Sequence, residues 1–170
     1  MARLDAHGLS CEVPRGWDVR IEQRPQSTVT TPASDAPDAP MGGFVHPTLH
    51  AATSPLPPNR GDYGSGYVEI MKATDVFVCL AEFDHEAGAT AMFLDGQPTA
   101  LRSADFHPEA QQRVIAGMCG TQRFFTTNGR ALCLYVVLGS WVQRRSLVPV
   151  VSSFISTFGI PARPTHKDAP

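Results

Sequence analysis

A chain of 170 residues, 42% of them hydrophobic, is the size of one domain with a continuous buried core. Fourteen basic residues against sixteen acidic ones, a net charge of −2, give the chain as a whole no electrostatic footprint for nucleic acid or an anionic membrane. Residues 1–7 contain no apolar signal core. The longest apolar run, 131–138, is far short of the ~20 residues of a membrane span. The expectation is therefore a cytoplasmic protein with no membrane insertion.

In chain order, residues 8–21 read as a hairpin. Leu9, Cys11 and Val13 alternate with polar partners, then Trp17, Val19 and Ile21 do the same, and Pro14-Arg15-Gly16 supplies the turn. Residues 24–43 change character. Pro25, Pro32, Pro37 and Pro40 among Ser, Thr, Ala and Asp predict a mobile excursion. Residues 44–53 recover a strand, placed at a sheet edge by Pro47. A glycine-rich turn over 59–66 is expected to launch a short helix over 67–72.

Residues 75–83 predict a strand buried on both faces, with Val76, Val78 and Leu80 on one side and Phe77, Cys79 and Ala81 on the other. A weaker strand is expected over 89–94 and a short helix over 105–114. Across 121–138, two strand patterns flank Asn128-Gly129, the pair favoured in a type I′ turn, and the second strand is expected to be central.

Ser146 is expected to cap a closing helix that carries Pro149 in its first turn. Leu147, Val150, Val151, Phe154, Ile155 and Phe158 form its apolar stripe, Ser152 falls on the opposite face, and Gly159 marks the end. The sum is an α+β fold: an antiparallel sheet flanked by helices and closed by a C-terminal amphipathic helix. It forms one domain over residues 1–160 with a frayed polar tail over 161–170.

The four cysteines are widely and irregularly spaced with no C-x-x-C pair, so at least three are expected to be small buried hydrophobes. The 59–66 turn offers backbone N–H groups to an anion but lacks a phosphate-loop Lys-Ser/Thr. Its commoner use is simply to turn the chain. Arg60-Gly61-Asp62 within it matches an integrin-ligand triplet, a coincidence in a chain expected to be cytoplasmic. His46 and His50 share a strand face without a third ligand nearby in sequence. Asp84, His85, Glu86 and Asp105 have acid–base chemistry but read as loop polarity. No serine or cysteine has a nucleophile-elbow context, and no catalytic residue, metal or cofactor is assigned.

The aromatic residues are the more suggestive group. Trp17, Phe44, Tyr63, Tyr67, Phe124 and Trp141 fall partly outside the two-faced strands and are the candidate binding residues, against the plainer reading that loops or helices of the same chain cover them.

The opening Gly8-Leu-Ser-Cys-Glu-Val-Pro-Arg-Gly-Trp17 resembles the "apolar strand, Pro, any, Gly-Trp" start of the Mog1/PsbP/DcrB-like superfamily. The Asn128-Gly129-Arg130 turn and the helix ending Ser-Thr-Phe-Gly-Ile160 continue the resemblance, as in uncharacterised proteins of actinobacterial type. Residues 24–62 depart from the family pattern. The resemblance implies a non-enzymatic adaptor, assembly factor or secretion-type chaperone whose partner is another protein, with no shared catalytic residues to carry over. Two alternatives stand beside it. One is an enzyme or small-molecule binder with a pocket near residues 62–69 and 84–86. The other is a structural subunit of a larger assembly.

Overall fold

Two strands without a polar face organise the molecule, because each can only be satisfied between other layers. In the computed structural model, which describes residues 2–24 and 46–163, these are β5 (Val76–Phe83) and β8 (Arg130–Leu138). They pair antiparallel in register from Val76 opposite Leu138 to Phe83 opposite Ala131. Val76, Val78 and Leu80 join one core layer and Phe77, Cys79 and Ala81 the other, as their alternation predicts. All four cysteines are buried.

The remaining strands are β1 (Ala2–Ala6), β2 (Leu9–Val13), β3 (Asp18–Arg24), β4 (His46–Ala52), β6 (Leu94–Asp95) and β7 (Cys119–Thr127). The main sheet runs β3-β4-β5-β8-β7-β6, with β1 and β2 as a separate pair. Asn128 and Gly129 turn β7 into β8 with φ of 50° and 71°, the two positive angles a type I′ turn requires.

Four expectations are corrected here. The 8–21 hairpin has its strands and turn, but β2 and β3 do not pair. β2 pairs with β1, whose turn at His7 and Gly8 has φ of 53° and 75°, and β3 pairs with β4. β4 is internal rather than an edge. Pro47 is tolerated because the ladder to β5 begins only at Thr48, one residue further on. The weak strand over 89–94 reduces to β6, which pairs parallel to β7, while His85–Ala89 is a 3₁₀ turn. The helices expected over 67–72 and 105–114 are single 3₁₀ turns at Val68–Ile70, Ser103–Asp105 and Pro108–Ala110. The excursion over 24–43, past Arg24, lies outside the described residues.

The α-helix, α1 (Arg144–Ile155), closes one face of the sheet. It starts two residues before Ser146: Ser140 Oγ accepts the Gln143 N–H at 3.2 Å, and Ser146 Oγ donates to the Gln143 carbonyl at 2.8 Å from inside the first turn. Pro149 consequently lies in the second turn. The buried stripe is Leu147, Val148, Val151, Phe154 and Ile155, with Val150 at 45% exposure, so Val148 replaces Val150 in the stripe. Ser152 is not idle either, since its hydroxyl accepts the Leu101 N–H at 3.0 Å and reaches the Leu101 carbonyl at 3.3 Å. Gly159 is no helix cap. It pairs with Ser10 through two backbone bonds of 3.0 and 2.8 Å, and a Cβ there would meet the Ser10 hydroxyl.

No helix covers the second face among the described residues. Leu56, Tyr67, Val68 and Met118 bury themselves on it from the connecting turns, with Tyr63, Met71 and Ile115 beside them. The polar tail is held at its start, where Arg163 reaches back to Glu82; residues 164–170 are outside the description.

Candidate functional site

The aromatic candidates do not share one face. Tyr67 is buried, with its hydroxyl bonded to Ser54 Oγ at 2.7 Å, and Tyr63 sits half-buried, edge-on to Tyr135 at 5.6 Å. Burial pushes the Tyr63 phenol up from its ordinary value. Both tyrosines serve as cover for the second face. Phe124 is half-buried in a cluster with Phe93 (5.3 Å) and Phe83 (6.1 Å) at the β6 side. Trp141 lies beneath the Arg144 guanidinium, 3.6 Å from its ring centroid. Phe44 lies outside the described residues.

Trp17 is placed differently. The turn that follows β2 closes when its N–H donates to the Pro14 carbonyl at 3.2 Å, which swings the indole onto α1. There it meets Phe154 at 4.8 Å, and Phe154 meets Phe158 edge-on at 5.0 Å. Between the turn and the helix lies an open groove of about 420 Å³, walled by Pro14, Trp17, Pro149, Val150 and Phe154. Ser153 and Thr157 lie along it, and Glu12 is the one charged residue of its lining. A mostly apolar lining with a few polar groups is the general form of a binding groove.

A second cavity, of about 460 Å³, opens at the other end of β5 and β8. Its wall holds an ion cluster that the apolar strand patterns concealed. Glu82, 3% exposed at its side chain, accepts Arg130 Nε at 3.0 Å and Nη2 at 2.7 Å, and Arg163 Nε at 3.1 Å and Nη2 at 2.8 Å. Burial acts to raise the Glu82 carboxyl. The hydrogen bonds and charges of the two guanidinium groups outweigh it and hold the group below the usual glutamate range. Arg130 Nη1 also donates to the carbonyls of Gly8 (2.6 Å) and Pro161 (3.1 Å). His46 Nε2 lies 2.7 Å from Asp84 Oδ1 at the rim, beside His85 and Glu86.

Of the acid–base candidates, this cavity gathers Asp84, His85 and Glu86, and residues 62–69 are not in its lining. Asp62 instead accepts through its main-chain carbonyl from Cys79 Sγ, 3.1 Å away, and lies 2.7 Å from His50 Nε2. Glu69 accepts the Gly66 N–H at 2.7 Å. Asp105 is on a separate turn, bound to Arg123 at 2.7 Å.

Several N–H groups at the 59–66 turn are taken within the chain: Gly61 donates to the Ser65 carbonyl, Gly64 to Gly61, Gly66 to the Glu69 carboxylate, and the following Tyr67 and Val68 to Gly64. His46 and His50 lie on one strand but turn to different partners, Asp84 and Arg60 Nε (2.8 Å). Among the described residues no group of three metal-ligating side chains is brought together. No helix among them is long and apolar enough to cross a membrane.

No protein-family model, no curated protein and no solved structure matches this chain.

Proposed function

We propose that the protein is a non-enzymatic protein-binding module, a cytoplasmic adaptor, assembly factor or chaperone of Mog1/PsbP-like type. Its partner inserts an apolar side chain into the groove between Trp17 and α1. The observation that carries this reading is Val150, a valine on the closing helix that remains 45% exposed and forms one wall of the groove against Trp17 and Pro149. A volume of about 420 Å³ suits one large side chain with part of its backbone, and Glu12 at the wall selects a basic neighbour. The opening strand-turn-Trp motif and the closing helix, two of the three elements that carry the family resemblance, are also the two walls of this groove.

A display library of random peptides tests it directly. Enriched peptides are expected to pair a large apolar residue with Lys or Arg, and to lose binding to Val150→Asp while retaining it to Val142→Asp. Enrichment of peptides that ignore both substitutions, or no enrichment at all, would contradict the reading.

A second reading, small-ligand binding, has the cavity beside Glu82 in its favour. Glu82 is held ionised there between the Arg130 and Arg163 guanidinium groups, and His85 and Glu86 add polar groups to the lining that a ligand could meet. A ligand that raises the melting temperature of the wild type but not of a His85→Ala, Glu86→Ala variant would shift the assignment to that cavity.

A further inference from the structure

Three turns meet at one end of the main sheet. The segment 68–75 leads into β5, 111–118 leads into β7, and 139–145 joins β8 to α1. Register brings them together, since Val76, Leu138 and Cys119 are neighbours across β5, β8 and β7. They are also tied directly: Gly139 N–H donates to the Asp75 carbonyl at 2.9 Å, Trp141 N–H to Gly117 at 2.7 Å, and Arg113 lies 3.7 Å from Glu69.

Each turn leaves one aliphatic residue in solvent. Ile70 is 66% exposed, Val114 62% and Val142 85%, and they are three of the six large hydrophobic residues exposed among the described residues. Their neighbours Val68, Met71, Ile115 and Met118 face inward, so these turns are rooted in the core while their tips project. Singly exposed aliphatics are ordinary, but three on adjoining turns at one end are not a scatter.

Charge is biased at the same place. The three segments carry Lys72, Arg113, Arg144 and Arg145 against Glu69 and Asp75, in a chain whose net charge is −2. Asp75 is buried, bonded to Thr53 and to the Lys72 N–H, and Glu69 is engaged by Gly66 and Arg113. Even with Glu109 of the preceding turn included, cations outnumber anions four to three.

We infer that this end docks on an anionic lipid surface, the aliphatic tips entering the interface and the cations meeting the headgroups. Separate tips on separate turns give no shaped groove for a protein side chain, whereas a fluid bilayer needs none. Cations within reach of an anionic surface add attraction that falls with salt. The face is distinct from the Trp17 groove, and its test does not depend on that reading.

The full chain is centrifuged with vesicles of phosphatidylcholine, with and without phosphatidylserine. Binding is expected only with phosphatidylserine, weakening as salt rises. Each of Lys72→Gln and Arg145→Gln should lower the partition coefficient about fivefold, and the triple Ile70→Ser, Val114→Ser, Val142→Ser variant should lose binding at low salt with an unchanged melting curve. Equal partition onto both vesicle types, none onto either, or indifference to the tip substitutions overturns the inference. Retention on polyglutamate through the same cations, without vesicle binding, would assign the face to an acidic protein instead.

Discussion

Arg130 holds Glu82 through two parallel hydrogen bonds of 3.0 and 2.7 Å, from one central strand to the next, with both side chains almost wholly buried. Removing Arg130 takes a bidentate guanidinium from a carboxylate in a low-dielectric site and leaves the Gly8 and Pro161 carbonyls without that donor, a loss of up to about 3–5 kcal/mol. Arg130→Met is expected to lower stability by that order in urea unfolding. Because the folded Glu82 carboxyl is held below its ordinary value of 4.5, its contribution is fully present above that pH and is lost as pH falls through the folded value. Wild type should therefore lose stability on acidification below about pH 4.5 more steeply than Glu82→Gln. Parallel acid profiles of the two proteins would contradict the pairing.

Burial raises the thiols of Cys11, Cys119 and Cys133 to about 11. With little thiolate and no access, these cysteines should react with an aromatic disulfide reagent only as fast as the protein opens, at pH 8 and below. All four should react at once in denaturant. Rapid native labelling of Cys133 would mean that β8 is not the central strand.

Phe154→Ala should cost about 3–5 kcal/mol, since the ring is buried between Trp17 and Phe158 and its loss leaves a cavity. Val150→Ser, one turn earlier and half in solvent, should change the melting temperature little. Ser152→Ala should fall between them, near 1 kcal/mol, because it leaves the Leu101 amide without its acceptor. A Val150→Ser loss as large as that of Phe154→Ala would rotate the helix.

Gly64 combines φ of +83° with a backbone pressed against the Phe77 ring, where a Cβ would overlap the ring edge. Gly64→Ala should therefore destabilise by more than the ~1 kcal/mol of left-handed strain alone. Gly16→Ala, with φ of +84° and open space around it, should show only the strain. Thermal unfolding of the pair separates the two contributions.

The parts of this fold legible in the sequence are those decided by local chemistry. Asn128-Gly129 dictates its own turn, and a strand apolar on both faces has to be central. The pairing of β2 was not legible: Pro14-Arg15-Gly16 makes a turn between β2 and β3, but partner choice is decided elsewhere, by the His7-Gly8 turn and by Gly159. The helix stripe was ambiguous for a geometric reason. At 3.6 residues per turn, Val148 and Val150 lie almost equally far on either side of the line through Leu147, Val151, Phe154, Ile155 and Phe158, so periodicity does not choose between them. Glu82 did leave a signal, an acid inside an apolar strand that demands a buried cation, and Arg130 at the head of the neighbouring strand was the available answer. Of the described binding candidates, Trp17 alone lines the groove. The others were marked by residue type, which does not say whether a ring is cover or contact surface.

The attachment of β2 has a consequence for synthesis. Its main-chain bonds beyond β1 go from Ser10 to Gly159 and from Glu12 to Thr157, and the Gly8 carbonyl is taken by Arg130. Every one of these partners is translated more than a hundred residues later. The β1–β2 pair thus leaves the ribosome well before the partners that seat it, so on a nascent chain the flank of the core that Leu9 and Cys11 seal stays open until the closing helix has been made.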